Sequence, residues 1–149
     1  MKQIRFFFLL LGSSFFYATG FSQVTSVPEQ AKENFAAQYP AAQKAKWNND
    51  IVNVNVKFEL DGETMNAEYS NKGTWKKTLQ DWSYEKLDAV VQDGFQKSKY
   101  ADRTVTEVKI VYLPGNVIQY RLKAEKNDVQ KKYLYFNKFG RLLRDAATL

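Results

Sequence analysis

One segment of the chain repeats itself without a gap. Ala67-Glu68-Tyr69-Ser70-Asn71-Lys72-Gly73-Thr74-Trp75 lies over Leu134-Tyr135-Phe136-Asn137-Lys138-Phe139-Gly140-Arg141-Leu142, so that Ala67 meets Leu134, Tyr69 meets Phe136 and Trp75 meets Leu142. Both copies alternate apolar and polar residues around a glycine, the pattern of strand, turn and strand in which glycine supplies the positive φ. A chain of 149 residues that carries such a duplication must build its core from two similar units, which narrows the fold before any other feature is considered.

The two halves also agree upstream of the repeat. Ser26-Val27-Pro28-Glu29 offers a capping serine, a first-turn proline and a glutamate three residues on, so a helix is expected to start there and to run to about Gln38. Ala31 and Phe35 share its buried face, and Tyr39-Pro40 ends it. In the second half Ser83 is the expected cap, and Leu87, Val91 and Phe95 recur every four residues until about Tyr100.

After each helix the period changes to two. Val52, Val54, Val56, Phe58 and Leu60 alternate with Asn53, Asn55, Lys57 and Glu59, and Asp61-Gly62 turns the chain into Thr64–Tyr69. In the second half Val108, Ile110 and Tyr112 lead to the turn Pro114-Gly115-Asn116, followed by Ile118, Tyr120, Leu122 and Ala124. A short strand around Ala45–Trp47 would match Thr106–Tyr112. The expectation is an α+β fold: two tandem helix-plus-four-strand repeats, residues 24–82 and 83–149, forming one antiparallel sheet with both helices on one face. The other face is then open to solvent, which accounts for the polar half of each alternation.

Ahead of the repeats, Met1-Lys2-Gln3-Ile4-Arg5 is basic and Phe6 to Phe16 is apolar apart from Gly12, Ser13 and Ser14. This is the pattern of a signal peptide, read as residues 1–20 because Ala18 and Gly20 present small side chains at the spacing a signal peptidase needs; Gly20 and Ser22 offer a second pair. An apolar run of about 11 residues is short against the roughly 20 of a membrane span, so no stable membrane anchor is expected. Export points to a periplasmic or secreted protein. Excess positive charge lies in one half: residues 21–82 hold 7 basic and 8 acidic side chains, and residues 83–149 hold 13 and 8.

Chemistry is constrained by what is missing. The chain has neither histidine nor cysteine, so it lacks the usual general base near neutral pH, a thiolate nucleophile, disulfides and the preferred ligands of soft metals. Carboxylate-pair chemistry survives in principle, but Glu59, Glu63 and Glu68 fall on polar strand faces or at a hairpin and read as solvated surface. The oxygen-rich stretches Asn48-Asn49-Asp50 and Asn127-Asp128 lack calcium-loop spacing and read as turns. No enzyme activity, no cofactor and no metal site are expected.

The signal peptide, the Val27-Pro28 opening of helix one, Phe35 with Tyr39-Pro40, Trp47, the Asn71-Lys72-Gly73 turn and the run Ser83-Tyr84-Glu85-Lys86-Leu87 with Val90 together resemble exported PepSY-like proteins of Bacteroidetes. That family is β-lactamase-inhibitor-like, with tandem helix-plus-four-strand units. The resemblance spans nearly the whole mature chain and implies a binding role, because the inhibitor's concave sheet grips a loop of its target and PepSY domains are associated with restraint of peptidases. It departs from the commoner pattern at Leu87-Asp88, where Leu-Pro is usual, and carries over no β-lactamase-contacting residue.

The partner expected on this basis is an unidentified envelope or extracellular protein, with an anionic glycan or lipid as the second reading. Basic residues interleaved with tyrosines also suit nucleic acid, but export makes that partner unsuitable. Tyr133 and Tyr135 alternate out of phase with Leu134 and Phe136, so they project from the open face. The candidate binding residues are therefore Lys109, Arg121, Lys123, Lys131, Tyr133, Tyr135 and Arg141, on the open face of the second repeat. The plainer alternative is a basic surface kept soluble by lysines, with tyrosines packed on their stems.

Overall fold

The computed structural model describes residues 26–148; the expected signal peptide, residues 1–20, lies outside the described residues. Helix α1 (Glu29–Gln38) precedes strands β1 (Gln43–Asn49), β2 (Asn53–Leu60), β3 (Glu63–Ser70) and β4 (Trp75–Trp82). A short 3-10 turn at Tyr84–Lys86 and helix α2 (Ala89–Gln96) lead to β5 (Thr104–Leu113), β6 (Val117–Glu125), β7 (Lys131–Asn137) and β8 (Leu142–Ala147). The strands form a single 8-stranded sheet in chain order, antiparallel throughout.

Both helices lie on one face, and each covers its own core. Ala31 and Phe35 of α1 meet Val54, Val56, Phe58, Met65, Ala67 and Tyr69. Val91 and Phe95 of α2 meet Val108, Leu122, Ala124, Leu134 and Phe136. The register shows that the face is shared: Ala67 pairs with Thr78, Thr78 with Tyr112, and Gln80 with Ile110. Apolar burial supplies about 25 cal/mol per Å², so these two clusters are the main source of stability in a chain without disulfides. Between them the sheet buries Thr78 and Gln80, each satisfied: Thr78 Oγ1 bonds the Tyr39 hydroxyl at 2.7 Å and accepts from Trp75 Nε1 at 2.9 Å, and Gln80 Oε1 accepts from Tyr112 at 2.6 Å.

The helix starts differ from expectation. Ser26 does not cap α1; Pro28 takes the cap position at φ −56 and ψ 135, and its carbonyl accepts from Ala31 and Lys32. The second helix is split, because Leu87 is extended and Asp88 caps α2 at φ −55 and ψ 138, nearly the Pro28 geometry. Asp88 thus adopts the fixed φ that proline would impose there. Val52 is also no core residue: β2 starts at Asn53, and Val52 is 69% exposed in the preceding turn.

A bulge breaks the alternation at matching places in the two repeats. Tyr69 pairs with Trp75 while Glu68 pairs with Lys77, leaving Lys76 extra; Phe136 pairs with Leu142 while Tyr135 pairs with Arg144, leaving Leu143 extra. Downstream of each bulge the residues on a given face shift by one position.

Candidate binding face

The open face is set by the pleat. On β5 to β7 the register brings Glu107 beside Lys123, Lys109 beside Arg121, Arg121 beside Tyr135 and Lys123 beside Tyr133. Six of the seven sequence-predicted residues, Lys109, Arg121, Lys123, Lys131, Tyr133 and Tyr135, therefore lie on the face expected for them. Arg141 stands at the edge of that face, in the turn before β8, where its carbonyl accepts from the Asn137 N–H at 3.0 Å and its own N–H donates to Asn137 Oδ1 at 3.0 Å; the bulge after Leu142 puts Arg144 opposite Tyr135.

Two arginine–tyrosine stacks dominate this half of the face. The Arg121 guanidinium lies 4.4 Å from the Tyr133 ring centre and the Arg144 guanidinium 3.4 Å from that of Tyr135. Arg121 is also held by Glu107 at 2.8 Å, and its Nε is buried without a hydrogen-bond partner. The flanking cations are paired as well: Lys109 with Asp81, and Lys123 and Lys131 with Glu125 at 3.0 and 3.5 Å. The hydrogen bond from Lys123, then that from Thr106 at 2.9 Å, holds the Glu125 carboxyl below its ordinary pKa. The same contact raises the Lys123 pKa; burial opposes it, and the charges of Glu125, the Tyr133 phenol and Glu107 add to it. Lys109, Arg121, Lys123 and Lys131 thus share three carboxylates, Asp81, Glu107 and Glu125, within the chain.

Two further features mark the face. At its centre Val111 pairs with Leu79 and is only 3% exposed, an apolar spot among charged neighbours. Beside it a polar hollow of about 440 Å³ is lined by Lys46, Asn55, Lys57, Asn66, Asp81 and Lys109, among others. The hollow lies mostly over the first repeat, whose polar strand face had looked like plain solvated surface. Of the predicted residues only Lys109 reaches it. Among the described residues no group of three or more potential metal-ligating side chains comes together.

No model of a known protein family matches the chain, and no curated protein matches it. Solved structures do. A DUF2874 family protein from Bacteroides ovatus is 27% identical, with a TM-score of 0.73 over 81% of this chain and 87% of the other. A BLIP-like protein from Bacteroides fragilis is 23% identical, with a TM-score of 0.72 over 81% and 86%. A candidate periplasmic protein from Bacteroides eggerthii is 22% identical, with a TM-score of 0.70 over 81% and 88%. These likenesses carry the two-repeat architecture and nothing specific to PepSY proteins. The chain shares the BLIP-like fold found in these Bacteroides proteins.

Proposed function

We propose that the chain is an exported, non-catalytic binding module, periplasmic or secreted and PepSY-like in role, whose open sheet face takes up a segment of an envelope or extracellular protein and can thereby inhibit it. The observation that carries this reading is the pair of arginine–tyrosine stacks on the face opposite the two described helices. Tyrosine and arginine are enriched where interfaces concentrate their energy, because each combines large contact area with hydrogen bonding. The buried, unpartnered Nε of Arg121 supports the same reading, since a surface maintained only for solubility has no need to desolvate a donor. Export is supported by the signal-peptide pattern and by the likeness to a candidate periplasmic protein. The absence of histidine and cysteine supports a non-catalytic role.

A protein partner is favoured over a glycan or other polyanion because Lys109, Arg121, Lys123 and Lys131 are already paired with Asp81, Glu107 and Glu125. Capture from an envelope extract with the protein as bait tests this directly. A protein retained through a high-salt wash is the expected result, and Tyr133→Ala with Tyr135→Ala should weaken it at least tenfold, about 1.4 kcal/mol, while Asn53→Ala with Asn55→Ala leaves it bound. Binding only to anionic polymer, lost as salt screens charges beyond about 8 Å, would contradict the proposal.

A further inference from the structure

In an antiparallel sheet laid out in chain order, the β1–β2, β3–β4, β5–β6 and β7–β8 turns all lie at one end. That end gathers most of the exposed large apolar side chains among the described residues. Ile51 (93% exposed), Val52 and Phe139 (71%) occupy its turns, and Val117, Ile118 and Leu143 stand at the first residues of the strands leaving them. The opposite end carries Val129 in the β6–β7 turn and no comparable cluster.

Charge follows the same division. Lys72, Lys138 and Arg141 sit in these turns and form no ion pair among the described residues, and Lys138 lies 5.2 Å from the Phe139 ring centre. The one acid of these turns, Asp50, already accepts from Asn48 at 3.0 Å and Asn55 at 3.1 Å. The turns are also held in place: Asn71 Nδ2 donates to the Ile51 carbonyl at 2.7 Å, and Asn137 Oδ1 accepts from the Phe139 and Arg141 backbones at 3.0 Å. The chain enters the fold here too, because the Ser26 carbonyl accepts from Asn49 Nδ2 at 3.1 Å.

We propose that this end of the sheet is a peripheral membrane-docking edge that inserts Ile51, Val52 and Phe139 into the headgroup region of an anionic bilayer. Separate apolar tips on successive hairpins, spread over about 30 Å at a strand spacing of about 4.8 Å, do not form the continuous patch that a folded protein surface would match. A fluid interface accepts such tips one by one, and unpaired cations between them are drawn to anionic headgroups. The edge is distinct from the sheet face proposed to bind protein, and it would leave that face free.

The full chain is tested with phosphatidylglycerol-containing vesicles and with pure phosphatidylcholine vesicles. Sedimentation with the anionic vesicles is expected, weakened at least tenfold by Ile51→Ser with Val52→Ser and unchanged by Val129→Ser. In Phe139→Trp, tryptophan emission should shift to the blue on adding anionic vesicles, beyond any shift of the unsubstituted chain. Equal sedimentation of all variants would place binding in the N-terminal apolar segment and overturn the proposal. An unshifted Phe139→Trp spectrum would also overturn it, as would a shift produced by a captured protein and not by vesicles.

Discussion

Gly140 shows how tightly a turn can be fitted to a helix. At φ +75, a Cβ built there would stand 2.1 Å from the Val90 carbonyl oxygen, and one built on Gly94 would stand 1.9 Å from the Gly140 carbonyl oxygen. The first repeat solves the same contact differently: Gly73 presses on Gln30 and Ala31, and Asn34 Nδ2 donates to its carbonyl at 2.9 Å. Gly94 holds the place of that asparagine and lets the second turn come closer. Gly140→Ala and Gly94→Ala should each lower unfolding free energy by about 3 kcal/mol in urea titrations, since backbone must move to relieve the clash. Gly62→Ala, at φ +81 with nothing within 4 Å, should cost about 1 kcal/mol from the left-handed backbone alone. Equal losses at Gly62 and Gly140 would mean that the turn–helix contact contributes nothing.

Strands β5, β6 and β7 are tied at their lower ends through Glu125, which accepts from Thr106 and faces Lys123 and Lys131. Its carboxyl titrates lower when folded than its ordinary 4.5, so the stabilisation is present above that pH and is lost as pH falls through the depressed value. Asp145, held low first by Lys132 and then by Tyr100, behaves alike below 3.8. Thermal unfolding should therefore show stability level from pH 7 down to about 4.5 and falling below it, with Glu125→Gln flattening part of the fall. An unchanged acid decline in that variant would remove Glu125 from the account. At this scale the sequence was readable where the period was regular: Val54, Val56, Phe58, Leu122 and Ala124 are buried as their alternation required. It misled where one residue breaks the count. The bulges at Lys76 and Leu143 leave no mark in a polar–apolar pattern, so Arg144, the residue that comes opposite Tyr135, was missed. Ser26 has the residue types of a cap, yet the φ of Pro28 decided where the helix begins.

The whole molecule is two helix-covered cores joined by one continuous sheet, and what remains uncovered is a face that changes character along its length. Over the second repeat it presents stacked arginines and tyrosines in a paired-charge setting; over the first it sinks into a polar hollow. That Arg144 stacks on Tyr135 depends on the bulge, but the placement of Arg121 and Tyr133 on one face was foreseeable from alternation alone. The hollow was not, because sheet twist depends on how all eight strands pack, which no single segment encodes. The claim that binding occurs on this face is tested most directly by site-specific photo-crosslinking in envelope extract. A crosslinker at Gln119 or Asn55 on the open face should capture the same protein, whereas one at Glu33 of α1 or Lys97 just after α2 should capture none. Capture from Glu33 or Lys97 with none from Gln119 or Asn55 would contradict it.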